Sequence, residues 1–366
     1  MNKEKRGCLD LVKVVPVWFN NNGPESDVVV SSRIRLARNL DNHQFPFQAS
    51  LKERKTVFKK ITEVFDSGAQ FKTFEVINFS RLRELEQQFL VEERVVSPDM
   101  LKMDGDRGVV CDSSRRVNIM VNEEDHLRFQ CIDSGFRAQE MWEVLDMLDD
   151  TIGKKFKYAY DNKMGFLTCC PTNSGTGLRV SFLLHLPGLV LTKSIDAVLQ
   201  GASQMGLSTR GFFGENSDVM GNFFQLSNQA TMGSHEQEFV DTTCKTISEI
   251  ISNERKARER VMRDASLELS DKVYRSFGIL THARTLSLSE LLNLTSALRL
   301  GIHCGVFDAF SVEQLNRIIC MSMPAHLQIH RSTAMNEEEL SIARAELVRD
   351  LLAKKRRRKK STQSLK

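Results

Sequence analysis

From Val28 to Leu36 the chain settles into a two-residue period in which Arg33 and Arg35 fall on one face and Ile34 and Leu36 on the other. That is a strand with one apolar and one cationic side. Further strand signals fall near 108–111, 117–121, 127–132, 157–160, 166–169, 178–186, 207–212 and 223–227. Gly108 to Ile132 reads as consecutive antiparallel strands, with a turn at Asp112-Ser-Ser and a connection at Asn122-Glu-Glu-Asp-His. Helical spacing appears over 51–66, 81–93, 194–205 and 137–152, where Met141, Trp142, Leu145 and Leu148 share a face. Ser234 to Ala265 reads as one long helix with a charged end. Everything from there to Leu352 reads as helix and loop, with apolar residues at helical intervals over Leu286 to Leu300 and Ser311 to Met321. The shift in composition near 255–265 is the expected domain boundary.

A chain of 366 residues exceeds what one core usually supports, so about two domains plus tails are expected. Hydrophobic content of 41% and charged content of 27% are those of an ordinary globular protein. No stretch approaches the roughly 20 apolar residues that span a bilayer, and Met1 to Lys13 lacks the apolar core of a secretion signal. The reading is a cytoplasmic protein without a membrane segment. The cysteines show no metal-type Cys-x-x-Cys spacing and no sign of a disulfide scaffold. The last 13 residues hold eight Lys or Arg and no acid, so the +4 of the whole chain becomes −4 for residues 1–353. That basic tail is expected to be disordered. It reads either as a solubilising end or as a weak contact for nucleic acid or another acidic surface.

Further arginines join Arg33 and Arg35 on strand-like segments: Arg128, Arg179 and Arg210. A row of guanidiniums on a pleated surface suits a polyanion such as a triphosphate, because each fork can make paired hydrogen bonds to phosphate oxygens and stays charged near neutral pH. The plainer reading of each alone is a solvated face or an ion pair. The phosphate loops of other enzymes are absent, as are the protein-kinase His-Arg-Asp and the zinc-hydrolase His-Glu-x-x-His. Glu123, Glu124 and Asp125 crowd three carboxylates into one turn, which suits a cation there, although a solvated acidic loop is the simpler alternative. Glu215 lies in a second turn between Gly211 and Gly221, and Cys170 precedes Pro171 and a glycine-containing loop. A cysteine in an apolar strand is more often core than reactive, and Cys169 is a candidate for that core role. Carboxylates, a thiol and an arginine clamp together suit phosphoryl transfer between a triphosphate and a guanidinium, which needs alignment and charge neutralisation more than covalent help.

Ser31-Ser-Arg-Ile-Arg-Leu-Ala-Arg-Asn39, Asn122-Glu-Glu-Asp-His-Leu-Arg128, Cys170-Pro-Thr-Asn-Ser-Gly-Thr-Gly-Leu-Arg179 and Arg210-Gly-Phe-Phe-Gly-Glu215 occur in that order, followed by Asn222-Phe-Phe-Gln-Leu-Ser-Asn228 and Met232-Gly-Ser-His-Glu. At these residues the chain resembles the guanidino (phosphagen) kinase superfamily, most closely its bacterial protein-arginine kinase branch. The resemblance implies an α+β fold, with an antiparallel β-sheet flanked by helices over 25–258. An N-terminal segment (1–24) would precede it, and an all-helical C-terminal domain (259–353) and the basic tail (354–366) would follow. It implies that Arg33, Arg35, Arg128, Arg179 and Arg210 grip the phosphates of ATP, with Mg²⁺ bridging phosphate oxygens and no metal site made by the protein. Glu124 would be the catalytic base, Glu215 its partner on the substrate guanidinium, and Cys170 a thiolate beside that guanidinium.

Only some 30 residues precede Arg33, too few for the helical domain with which relatives acting on free arginine or creatine cover their substrate. An uncovered site favours arginines carried by other proteins. Two alternatives stand beside that reading: a kinase for a free guanidino metabolite, and a catalytically idle adaptor. The branch further implies a homodimer, a zinc-binding activator protein and a Clp protease system as partners. One departure is visible. Where the branch carries Arg-Asp-x-x-Arg-Ala to bind phosphoarginine, this chain has Leu340-Ser-Ile-Ala-Arg344-Ala345.

Overall fold

The computed structural model describes residues 15–68, 71–212 and 220–363. Its strands are β1 (Val29–Arg38), β2 (Phe74–Asn78), β3 (Gly108–Asp112), β4 (Val117–Val121), β5 (Leu127–Ser134), β6 (Tyr160–Asp161), β7 (Gly165–Phe166), β8 (Leu178–His185), β9 (Leu207–Arg210) and β10 (Phe223–Asn228). Eight of them form one sheet in the order β2-β3-β4-β5-β1-β8-β10-β9, every neighbouring pair antiparallel. Helices α1 (Leu51–Ser67), α2 (Glu84–Glu92), α3 (Ala138–Gly153), α4 (Pro187–Leu191), α5 (Ile195–Gln204) and α6 (Glu236–Asp264) accompany the sheet. Beyond them, α7 (Ser266–His282), α8 (Leu288–His303), α9 (Val312–Met321), α10 (Pro324–Arg331) and α11 (Glu337–Gln363) form a helical region. Serine side chains cap several starts: Ser50 accepts from the Glu53 N–H, Ser287 from Glu290 and Ser311 from Gln314.

The two-residue period sorts the sheet into unlike faces. Ile34, Leu36, Phe129, Cys131, Val180, Phe182 and Leu226 pack against Val57 and Ile61 of α1, Met141 and Leu145 of α3 and Val240 and Ile247 of α6. Each such side chain contributes about 1.5–3 kcal/mol by leaving water, and this fixes which way the strands face. The opposite face is divided. At one end Ile132, Leu183 and Phe223 are covered by Trp18, Phe19, Leu292 of α8 and Ile319 of α9. The rest of that face carries the arginines.

Helix α6 runs unbroken through the expected boundary. Ala257 belongs to the sheet core, and Val261, one turn later, belongs to the core of Leu269, Val273, Leu291, Leu298 and Val348. Glu254 anchors the helix against the start of α4 by accepting from the Gly188 and Leu189 N–H groups, both at 2.9 Å, and accepts from Arg258 Nε at 2.6 Å.

Three features differ from the sequence reading. The strands expected at 157–160 and 166–169 reduce to a two-residue hairpin, β6 with β7, outside the main sheet. Strand β2 had no clear signal, since its residues are half-buried along almost its whole length. The backbone of α11 continues to Gln363 through most of the segment expected to be disordered. Lys and Arg are good helix formers, and cations suit a helix C-terminus.

Candidate active site

Register brings the predicted arginines to one face. Directly opposed residues of antiparallel strands share a face, as do residues two apart. Arg35 lies opposite Gln130 of β5 and Arg179 of β8; Arg33 lies opposite Ser181, which in turn faces Ser227 of β10. Arg128 is two residues from Gln130 and opposite Ala37. Arg210 of β9 faces Gln225. All five guanidinium-bearing positions therefore lie on the sheet surface away from the main core.

Polar neighbours orient these side chains. Arg33 donates to Ser181 Oγ and Gln225 Oε1, each at 3.4 Å, and Arg179 donates from Nε and Nη2 to Ser227 Oγ at 3.3 and 3.1 Å. Burial, then the surrounding charges of Arg94, Arg128, Arg179 and Arg210, pull the Arg33 pKa down to about 9. Arg35 is pushed down by burial and by Arg33, Arg128 and Arg179, with Glu123 in partial opposition, and its Nε is buried with no hydrogen-bond partner. Like charges are thus crowded on this face, an arrangement that suits an anion.

At one end of this face the β4–β5 turn supplies the acids. Glu123 is fully buried: it accepts from Arg128 Nη1 at 2.6 and 2.7 Å, from the Ser97 hydroxyl, and from the Glu124 N–H at 3.0 Å. Burial opposes the Arg128 charge, but Glu123, Glu124 and Asp125 outweigh it and raise the Arg128 pKa. Glu124 is partly exposed and meets Arg128 Nη2 at 3.2 Å. Burial, Asp125, Glu123 and Asp99 raise its pKa against the pull of Arg128. Such a carboxylate is a better proton acceptor than an ordinary one.

Asp125 ties the turn to the cysteine loop. Its Oδ1 accepts from Asn39 Nδ2 at 2.6 Å and from the Cys169 N–H at 2.8 Å. Asn39 Oδ1 accepts from the His126 N–H at 2.9 Å. His126 Nδ1 accepts from the Leu40 N–H at 3.1 Å, so Nε2 donates to the Gln44 carbonyl at 3.0 Å. Burial lowers the His126 pKa to about 4, in keeping with this neutral tautomer. Cys170 follows in a loop, its Sγ 3.0 Å from Thr172 Oγ1. Cys169 is half-buried beside this network rather than in a core, and burial followed by Asp125 and Glu124 pushes its thiol pKa up. Glu215 lies outside the described residues.

Three contributors escaped sequence reasoning. Gln225 and Ser227 alternate along β10 and could have been found by that period. Arg94 gave no local signal. It takes a left-handed backbone (φ 59°), its guanidinium lies 4.2 Å from the Trp18 ring centre, and it donates to the Phe212 carbonyl at 2.8 Å, while its own carbonyl accepts from Gln130 Nε2. At the departing motif, Leu340, Arg344 and Ala345 are all buried. Leu340 is buried with Met321, Leu327 and Leu347, and Arg344 donates to the carbonyls of Ser322 and Leu286 at 3.0 and 2.8 Å.

Residues 56–257 match the family described as ATP:guanido phosphotransferase, C-terminal catalytic domain, and residues 266–363 match the protein-arginine kinase McsB C-terminal domain. A protein-arginine kinase of Brevibacillus brevis is 40% identical over 337 residues, covering 92% of this chain and 94% of the relative. One of Halalkalibacterium halodurans is 38% identical over 338 residues, covering 92% and 95%. Among solved structures, the duplicated taurocyamine kinase of Schistosoma mansoni with bound transition-state-analogue components superposes with a TM-score of 0.59 at 24% identity, over 67% of this chain and 35% of that one. A lombricine kinase gives 0.56 at 23% identity, over 66% and 71%. These two likenesses speak for the fold.

Proposed function

The chain belongs to the protein-arginine kinase family of ATP:guanido phosphotransferases, and on that premise we propose how its residues divide the transfer of a phosphoryl group from ATP to arginine side chains of proteins. Arg33, Arg35, Arg128, Arg179 and Arg210 hold the phosphates, and Mg²⁺ would enter with the nucleotide and supply further charge neutralisation. Among the described residues, no group of three or more His, Cys, Asp or Glu stands ready to cage a metal by itself. Glu124 orients the target guanidinium and accepts its proton as the new N–P bond forms and the bond to the leaving ADP oxygen breaks. Glu215 is its partner on the same guanidinium, and Cys170 presents its sulfur beside the reacting nitrogen without bonding to phosphorus. Negative charge on the migrating group is met by guanidiniums already fixed in place, so little reorganisation is left for the transition state.

One observation carries this reading: the arginine-lined face ends at the Glu123–Asp125 turn, whose only partly exposed member, Glu124, has a raised pKa. Protein substrates displaying arginine are the acceptors. A homodimer, a zinc-binding activator and delivery to a Clp protease in the cytoplasm complete the proposal, supported by the match of the helical region to the branch's own C-terminal domain. Incubation with ATP and Mg²⁺, followed by mass spectrometry under non-acidic conditions that spare the P–N bond, tests it. Phosphate on protein arginines is expected; phosphoarginine found only in the small-molecule fraction would assign a free-guanidino kinase instead.

A further inference from the structure

The segment preceding α1 closes one flank of the acidic turn and is held there by its backbone. His126 Nε2 donates to the Gln44 carbonyl at 3.0 Å, Asn122 Nδ2 donates to the Arg54 carbonyl at 2.8 Å, and the Phe47 N–H lies at the Cys169 thiol. Residues 44–54, which run into the first turn of α1, are thus fastened to Asn122 and His126, two residues to either side of Glu124. Yet the segment turns Phe47 and Leu51 outward, 65% and 62% exposed, while Pro46 is buried. Beyond Leu51 the surface opens into a groove of about 490 Å³ lined by Lys52, Lys55, Gly105 and Asp106.

A single exposed apolar residue needs no explanation. Two large ones, on a segment pinned to the site and bordering a groove, are different, because rigid backing lets an apolar surface bind without first being ordered. We infer that Phe47 and Leu51 form a contact platform for the polypeptide carrying the target arginine, selecting apolar side chains next to that arginine. The inference rests on the protein-arginine kinase reading and refines its substrate class. A free metabolite has no flanking residue to reach this surface, whereas an extended segment, advancing about 3.3 Å per residue, carries side chains beyond the reacting guanidinium.

The test compares two arginine peptides of equal charge, one with leucine and phenylalanine beside the arginine and one with glycine at those positions. The wild-type protein is expected to phosphorylate the apolar-flanked peptide about tenfold more efficiently, a size typical of a partly enclosed apolar contact. In Phe47→Ala that advantage should vanish through KM, with ATP affinity and thermal unfolding unchanged. Phe47→Leu should restore most of it. Equal use of both peptides by the wild type, or a preference that survives in Phe47→Ala, overturns the platform while leaving the kinase assignment standing. Phosphorylation of free arginine with neither peptide used overturns both.

Discussion

Arg128 Nη1 donates to both carboxylate oxygens of Glu123, at 2.6 and 2.7 Å, and Glu123 is wholly out of water. The neighbouring Glu124 takes only the longer contact from Arg128 Nη2, at 3.2 Å, and stays partly exposed. Removing one partner of a buried pair strands the other charge, so Glu123→Ala should lower unfolding free energy by about 3–5 kcal/mol. An unchanged midpoint in urea would show that the pair does not hold the turn.

Glu124→Gln should leave ATP binding close to that of the parent and slow phosphoryl transfer by roughly 100- to 10,000-fold. The raised pKa gives a second check. The base works only when deprotonated, so the rate should fall as pH drops through a value above the ordinary glutamate 4.5, and the variant's residual rate should lack this acid limb. A limb that persists in Glu124→Gln means another group takes the proton.

Arg35 has a buried Nε without a partner and lies among like charges. Arg35→Met should therefore raise the melting temperature of the nucleotide-free protein by a few degrees, about what 1 kcal/mol gives in a domain of this size, while erasing the stabilisation that ATP gives the parent. Calorimetry with and without nucleotide reads both signs. A lower melting temperature would mean that the cation is compensated in the free protein.

His326 of α10 lies between two carboxylates at the end of α2, 2.6 Å from Glu92, its last residue, and 3.1 Å from Glu93, just beyond it, against the Phe89 ring. Burial opposes its charge, but the two acids prevail and lift the pKa to about 9. A folded pKa above the unfolded value of about 6.5 contributes stability fully present below that pH and lost as pH rises through 9. Melting temperature should decline across this window, and His326→Gln should flatten that slope. Equal slopes in both proteins would exclude the imidazolium clamp.

Local periods fixed a good deal of this protein. Arg33 and Arg35 must share a face because a strand repeats every two residues, and Met141, Trp142 and Leu145 must share one because a helix repeats every 3.6. The α+β class, the long helix of 236–264 and the crowding of Glu123, Glu124 and Asp125 were equally legible. Strand order was not. That β1 lies between β5 and β8, and β10 between β8 and β9, is what assembles Arg128, Arg179 and Arg210 on one surface, and it is settled by burial shared among distant segments. The same holds for α8 and α9 covering the apolar end of the arginine face, for Asn39 and Asp125 joining the turn to Cys169, and for Arg94 reaching the Phe212 carbonyl. Each depends on a partner far away in the chain, and no short window of sequence contains both halves of such a contact.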